Sequence, residues 1–407
     1  MLKKFFKDVN KKQAISWALY DFANSSYFLI IVSFIFSIYF KEIIAPSNGD
    51  FWWGFAVSIS VFLGGITTPI IGAISDKYHK KKSKLILFST IAMIGTALLY
   101  FSGPNLFVLS MLIFMATNFC VEVSQTLYDS FLNQVSTKET KGRISGLGYA
   151  FGYLGGIVSM LILKPVYESQ ALHNLTFPLT AMIFFLFALP SFIFIKEKPK
   201  KISKESFFQK LKHSFKSVFK TIKQVKKHKK IAWFLVAFYL MNDGLATLFA
   251  FVSIYAKNTL SFSISEIAII LLLIQAIAFP ATIFFGWLSD KKGHKKILLA
   301  TLFIWCFIVL ATSLANSKII FYIIAIFTGM VVGSGQSVAR AWFIDIIPRN
   351  KLNQFFGFNG FANKIAALTG PLVFGTISVL TGSQRIAMAS LLIYFIASLL
   401  IFYKIKE

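Results

Sequence analysis

Long apolar runs recurring along the whole chain fix what it can fold into. They fall at roughly 16–40, 52–75, 84–102, 105–133, 143–163 and 175–195, then at 231–256, 265–289, 297–315, 318–344, 354–380 and 385–403. At ~1.5 Å rise per residue a helix of about 20 apolar residues crosses the ~30 Å hydrocarbon layer of a bilayer. In that layer every backbone N–H and C=O must be satisfied within the segment, so each run is expected to be a transmembrane α-helix. Twelve spans put both termini on the same side. The first run follows a basic N-terminus, as in a signal peptide, but it is too long for such a segment and has no small-residue cleavage site, so it reads as a retained helix.

Composition enters where it excludes alternatives. With 56% hydrophobic residues and 47 Phe, no ordinary soluble domain could carry this surface. A net charge of +26 would suggest nucleic acid or acidic lipid in a soluble protein, but the placement of the charge says otherwise. The N-terminus, the loops 76–84, 134–143, 290–296 and 345–353, the segment 196–230 and the C-terminus hold nearly all of the 42 basic residues. The alternate loops hold Lys41, Lys164, Lys257, Lys318 and Arg385. By the positive-inside rule both termini are cytoplasmic. Only Arg143, Arg340, Arg349 and Arg385 are arginines, a bias against nucleic-acid reading. Cys120 and Cys306 lie in apolar runs and the five histidines are scattered, so neither a disulfide framework nor a metal site is expected. No nucleotide loop, zinc motif or nucleophile elbow appears in context, so no cofactor and no enzymatic activity is expected.

The sequence also repeats. Gly72-Ala-Ile-Ser-Asp76-Lys77 after the second span matches Gly286-Trp-Leu-Ser-Asp290-Lys291 after the eighth. Gln125 and Asp129 in the fourth span fall opposite Gln336 and Arg340 in the tenth, and the same offset aligns Gly146 with Gly357. Two six-helix halves, 1–195 and 231–407, joined by a cytoplasmic basic linker 196–230, are therefore expected. That is the arrangement of major facilitator transporters. The Gly-to-Asp spacing with its basic cluster resembles the signature loop of that superfamily, here a conformational motif of Gly72, Asp76, Lys77, Gly286, Asp290 and Lys291. Lysines stand where arginine is usual and His79 where glycine is usual, whereas Gly293 is kept in the second copy.

Three further stretches sharpen the resemblance. Trp17-Ala-Leu-Tyr-Asp21-Phe-Ala-Asn24-Ser25 opens the first span. Tyr128-Asp-Ser-Phe-Leu-Asn leads through Gly142-Arg143 to Gly148, Gly152 and Gly156. Asn242-Asp243-Gly244 lies in the seventh span, and Gly335-Gln336-Ser-Val-Ala-Arg340 is followed by Phe355-Phe-Gly357. Together they resemble the vacuolar amino-acid effluxer family known from autophagy, with its bacterial relatives, over nearly the whole chain. The resemblance implies an all-α membrane protein of twelve transmembrane helices in two pseudo-symmetric six-helix bundles. It also implies solute transport, with amino-acid efflux known for fungal members.

Charges within the spans carry the site expectation, because an ionised group in hydrocarbon is costly and normally faces a pathway. Asn118, Glu122, Gln125 and Asp129 are spaced by four, three and four residues and form one polar stripe. With Asn242, Asp243 and Lys364 the first three of these make a central layer fit for substrate binding or coupling. Lys364 suits a carboxylate, an acid suits an amine, and Glu122 or Asp243 could instead be the protonatable coupling residue. An internal ion pair of Lys364 with Asp243 or Glu122 that merely closes the bundle is the competing expectation. Asp21, Asp129, Arg340 and Arg143 lie toward the cytoplasmic ends and form a candidate cytoplasmic gate, in which Asp129 and Arg340 pair or form a static contact.

Gly148, Gly152 and Gly156 at four-residue steps predict close helix packing, and Gly370-Pro371 predicts a kink in the eleventh span. In 196–230, Phe207, Phe208, Leu211, Phe215, Val218, Phe219, Ile222 and Val225 recur at helical steps among lysines. They predict an amphipathic helix from about Ser203, lying on the anionic inner leaflet or packed beneath the bundle. The expected partners are a small-molecule substrate, membrane lipids and protons, with no nucleic acid, and a monomer. The expected function is a secondary active transporter of a small polar organic solute, an amino acid in the first instance, by alternating access, with proton coupling left open. A transporter-fold sensor that moves nothing and a lipophilic-compound transporter are the competing readings, the charged central layer weighing against the second.

Overall fold

A computed structural model describes residues 6, 8–78, 81–137, 140–169, 171–197, 207–347, 364 and 367–405. At 69, 72–78, 133, 141–143, 207–208, 210–211, 214, 217–218, 222 and 344 it describes the backbone alone. Every regular element among the described residues is a helix. In chain order these are α1 (Lys11–Ile44), α2 (Gly49–Tyr78), α3 (Lys81–Leu98), α4 (Phe107–Val135), α5 (Lys141–Tyr167), α6 (Thr176–Phe194), α7 (Phe207–Lys227) and α8 (Lys229–Leu260). They continue as α9 (Ile264–Lys292), α10 (His294–Leu314), α11 (Lys318–Val331), α12 (Ser334–Ile346), α13 (Thr369–Thr381), α14 (Gln384–Ser390) and α15 (Leu392–Lys404).

Eleven helical segments are long and apolar enough to cross a membrane, with α11–α12 and α14–α15 each counting as one, and α13 is a shorter apolar helix. These account for the twelve expected spans. The first part of the eleventh, 354–363, lies outside the described residues. The fold is that of an all-α, multi-pass membrane protein.

Local sequence sets several boundaries. The Asn10 side chain accepts from Gln13 N at 3.1 Å and caps α1. Ser263 and Glu266 form a reciprocal capping box at the start of α9, and Lys318 Nζ reaches Glu266 at 2.7 Å from the start of α11. Gly293 takes φ +93 between α9 and α10, a backbone setting that favours glycine and permits a one-residue connection. The corresponding position of the first copy, His79, lies outside the described residues.

Three departures from uniform helices stand out. α1 is π-helical over Phe28–Phe34 and Phe40–Ile44, just past the polar residues of the Trp17–Ser25 motif. The tenth span is interrupted at Val332 and Gly333. The expected kink at Gly370-Pro371 takes a different form: a turn at 367–368 precedes α13, and Pro371 sits in its first turn. There the missing proline N–H has no intrahelical partner to lose.

The chain divides into two compact units, Met1–Phe36 with Leu63–Phe215, and Ser37–Phe62 with Lys216–Glu407. Within the first unit α1 packs against α5 and α6. A Cβ at Gly148 would come within 2.8 Å of the Trp17 ring, one at Gly152 within 2.9 Å of Ser25 Oγ, and one at Gly155 within 2.7 Å of Phe22 Cα. The close approach predicted for this helix is present, with Gly155 as its tightest point. Trp17 stacks on Tyr128 with centroids 4.6 Å apart, Tyr20 stacks on the other side at 4.8 Å, and Tyr20 Oη meets Ser89 Oγ at 2.7 Å. Within the second unit Phe234 contacts Trp342, Phe343 and Phe402, and Trp305 stacks on Phe395. Lipid tails are as apolar as these side chains, so close packing and hydrogen bonds hold such helices together.

The basic linker contributes α7. Phe219 of the expected apolar stripe is exposed and Val225 is buried, while Lys212, Lys216, Lys220 and Lys223 are exposed. Residues 203–206, where the helix was expected to begin, lie outside the described residues.

Candidate functional site

Each unit carries a polar cluster inside its apolar helices. In the first unit the stripe on α4 faces α1. Asn118, almost fully buried, accepts from Tyr27 Oη at 3.3 Å. Asn24 Nδ2 donates to Gln125 Oε1 in a short contact, and Gln125 Nε2 donates onward to Asp129 Oδ1 at 3.4 Å. Glu122 is half-buried and backed by α2, where a Cβ on Gly64 would lie 2.8 Å from the Glu122 Cβ. Asp129 is exposed. Asp21 is half-buried on the glycine face of α5, 3.1 Å from where a Cβ on Gly148 would be.

In the second unit Asp243 is 3% exposed. Gly370 N donates to its Oδ1 and Oδ2 at 2.9 and 3.0 Å, and Thr369 Oγ1 donates to Oδ2. The carboxylate thus lies on the N-terminus of α13, where unpaired N–H groups and the helix dipole favour negative charge. Tyr394 Oη donates to Thr369 Oγ1 at 3.4 Å. Beside Asp243, Asn242 Oδ1 accepts from Gln336 Nε2 at 3.2 Å, joining α8 to α12. Lys364 is helical and half-buried, and Arg340 is exposed on α12.

The remaining expected residues are placed less fully. Gly72, Asp76 and Lys77 lie on α2 and Arg143 in the first turn of α5, positions where the side chains are not described. Asp290 and Lys291 are exposed at the end of α9, and Lys291 Nζ lies over the Trp287 ring at 4.0 Å. At this end His294 Nε2 lies 3.3 Å from Asp345 Oδ2, and His294 Nδ1 also meets Ser289 Oγ at 3.1 Å.

Asp50 was not singled out in the sequence. It is 4% exposed at the start of α2, in the second unit. It takes Lys41 Nζ at 2.6 Å, Ser378 Oγ at 2.6 Å and Gln384 Nε2 at 2.9 Å. Gln384 Oε1 in turn accepts from Thr259 at 2.7 Å, and Trp53 Nε1 donates to Ala250 O at 2.8 Å. This cluster ties the turn between α1 and α2 to α8, α13 and α14. Gly375 lets Phe51 approach, since a Cβ there would come within 2.9 Å of the Phe51 Cα.

Twelve membrane helices with polar clusters buried inside two units define a membrane protein of the major facilitator fold. The crystal structure of a mutant of the nucleoside transporter NupG superposes on the chain with a TM-score of 0.75 at 13% identity, covering 97% of this chain and 100% of that one. Residues 54–407 match the family described as "Vacuole effluxer Atg22 like", and the chain belongs to it. It is 27% identical to the uncharacterized MFS-type transporter YxiO of Bacillus subtilis, across 100% of this chain and 96% of that protein. It is 24% identical to autophagy-related protein 22 of Vanderwaltozyma polyspora, across 86% of this chain and 76% of that protein.

Proposed function

We propose that this protein is a secondary active transporter that moves a small polar organic solute, an amino acid in the first instance, across a bacterial inner membrane by alternating access. The observation that carries this reading is the pair of buried polar clusters, Asn24–Gln125 with Asn118 and Glu122, and Asn242–Gln336 with Asp243. Neutral amides and carboxylates inside apolar helices are expensive unless they serve a path or a site. A fixed polar lining suits a solute that itself brings hydrogen-bonding groups, and the family description and the MFS-type relative support transport as such.

The finer roles belong to the same proposal. The bundles are 1–195 and 231–407, joined by 196–230, with both termini cytoplasmic and α7 on the anionic inner leaflet. Asp243 or Glu122 carries the coupling proton. Asp129 and Arg340, assisted by Asp21 and Arg143, form the cytoplasmic gate. The protein works as a monomer.

Counterflow in proteoliposomes against an amino-acid panel, with and without a pH gradient, tests the reading. Accumulation of at least one amino acid is the expected result. If none accumulates and none raises the thermal stability of the purified protein, the amino-acid assignment is wrong. Coupling through Asp243 predicts that Asp243→Asn keeps counterflow but loses acceleration by the gradient. For the gate, Arg340→Ala should raise labelling of pathway cysteines from the cytoplasmic side, and unchanged labelling removes the idea.

A further inference from the structure

The internal repeat and the packing disagree about one piece of the chain. By the repeat, Ser37–Phe62 belongs with the first half, whereas by packing it belongs to the second unit, with Lys216–Glu407. The piece comprises the end of α1, the turn at 45–48 and the beginning of α2. Asp50 is its centre. The carboxylate takes Lys41 Nζ at 2.6 Å from the same piece. From α13 and α14 it takes Ser378 Oγ at 2.6 Å and Gln384 Nε2 at 2.9 and 3.1 Å. Gln384 is oriented from both ends, because a carboxylate only accepts and Thr259 of α8 bonds to Oε1 at 2.7 Å. The backbones also come close. A Cβ at Gly54 would lie 2.9 Å from the Pro371 carbonyl carbon, and Trp53, fully buried, donates Nε1 to Ala250 O at 2.8 Å.

Apolar residues of similar volume often hold helices together as well as a buried ion pair does. A charged contact has its advantage when it opens: water takes over its bonds, whereas an opened apolar seal leaves hydrocarbon exposed. Both helices also have a place to bend where they leave the piece. α1 is π-helical over Phe28–Phe34 and Phe40–Ile44, on either side of the boundary at Phe36, and Gly64 and Gly65 follow the boundary on α2.

We propose that Ser37–Phe62 is the outer gate of the transporter. Asp50 latches it closed on α8, α13 and α14, and it swings off them when the pathway opens to the outside. α1 crosses once from a cytoplasmic N-terminus, so its far end lies at the outer face in the orientation proposed above. The moving part is the tips of two helices, not a whole six-helix half. This inference rests on the transport reading and assigns the outer gate to residues that the reading leaves without a role.

Labelling by a membrane-impermeant maleimide from the outer face tests it on the full chain, with Cys120 and Cys306 replaced by alanine. Ala250→Cys reports opening beneath Trp53. Ser398→Cys, at a fully buried position bonded to Ala237 O, reports general loosening of the fold. Asp50→Asn keeps the size and removes the charge, and should speed labelling at position 250 by on the order of 10-fold or more, with position 398 unchanged. Gln384→Glu sets a second carboxylate against Asp50 and should do the same. The two substitutions together rebuild the bond with donor and acceptor exchanged, and should bring labelling back to within about 3-fold of the unaltered latch. Joining Asp50→Cys to Ser378→Cys by oxidation should stop counterflow of a solute that the reduced protein exchanges, and reduction should restore it.

Unchanged labelling at position 250, equal rises at positions 250 and 398, or counterflow through the oxidised pair each overturns the gate and leaves the transport reading intact. A wild type that exchanges no solute overturns the transport reading, and the gate's role with it, whatever the labelling.

Discussion

Asp243 rests its carboxylate on the backbone N–H of Gly370, 2.9 Å away, and so anchors the beginning of α13 to the middle of α8. Removing the side chain orphans that N–H and the Thr369 hydroxyl together, at about 1–3 kcal/mol for each buried group. Asp243→Ala is therefore expected to lower the unfolding temperature in detergent clearly more than Asp243→Asn. The carboxamide oxygen still accepts from Gly370, and Thr369 can reverse its hydroxyl to accept from the amide nitrogen. Equal destabilisation by the two substitutions would mean that the cap adds nothing.

Asp50 gives a second contrast. Asp50→Ala leaves Ser378 and the Gln384 amide without their acceptor and breaks the Lys41 pair, so a loss of about 2–4 kcal/mol is expected. Glu42 is exposed and, among the described residues, accepts a 3.3 Å contact from Asn258, so Glu42→Ala should cost about 0.5 kcal/mol or less. Chemical unfolding of the two variants side by side checks the ranking, and comparable losses would contradict it.

The difference between these residues in the sequence explains what was legible there. Hydropathy and helical period locate the spans, because a helix of about 20 apolar residues satisfies its own backbone in lipid. The four-three-four spacing of Asn118, Glu122, Gln125 and Asp129 puts them on one face of α4, and Tyr27 and Asn24 are found on that stripe. Asn24 lies in the Trp17–Ser25 stretch, but its neutral amide leaves no charge signal and its partner Gln125 lies 101 residues away. Asp50 was lost among polar turn residues, its partners Ser378 and Gln384 lying more than three hundred positions later. Pro371 misled in form: proline disrupts a helix interior but suits a first turn, and sequence alone did not show where α13 begins.

The glycines of α5 are not equivalent. A methyl at Gly155 would run into the backbone of Phe22, whereas one at Gly146 meets nothing within 4 Å. Gly155→Ala should then destabilise by about 1–3 kcal/mol through overpacking against α1. Gly146→Ala should be neutral or stabilise by about 0.5–1 kcal/mol, since alanine loses less backbone freedom in a helix. Thermal unfolding of the two single variants decides it, and a neutral Gly155→Ala would show that α1 and α5 can shift apart at little cost.

The exposed lysines of α7 allow its proposed site on the inner leaflet to be measured. Lys212, Lys216, Lys220 and Lys223 point to solvent along a helix whose Phe219 is also 63% exposed. A basic residue close to an anionic surface contributes about 1 kcal/mol, so replacing all four by Gln should weaken partition of a 207–227 peptide by on the order of 10³-fold. The loss should be confined to vesicles containing phosphatidylserine and should shrink as salt is raised, because the attraction is screened within a Debye length. Phe219→Ser should instead weaken binding to anionic and zwitterionic vesicles alike, since it removes apolar area and no charge. If the wild-type peptide binds zwitterionic vesicles as tightly as anionic ones, the lysines do not hold this helix to the membrane, and packing beneath the helices becomes its role.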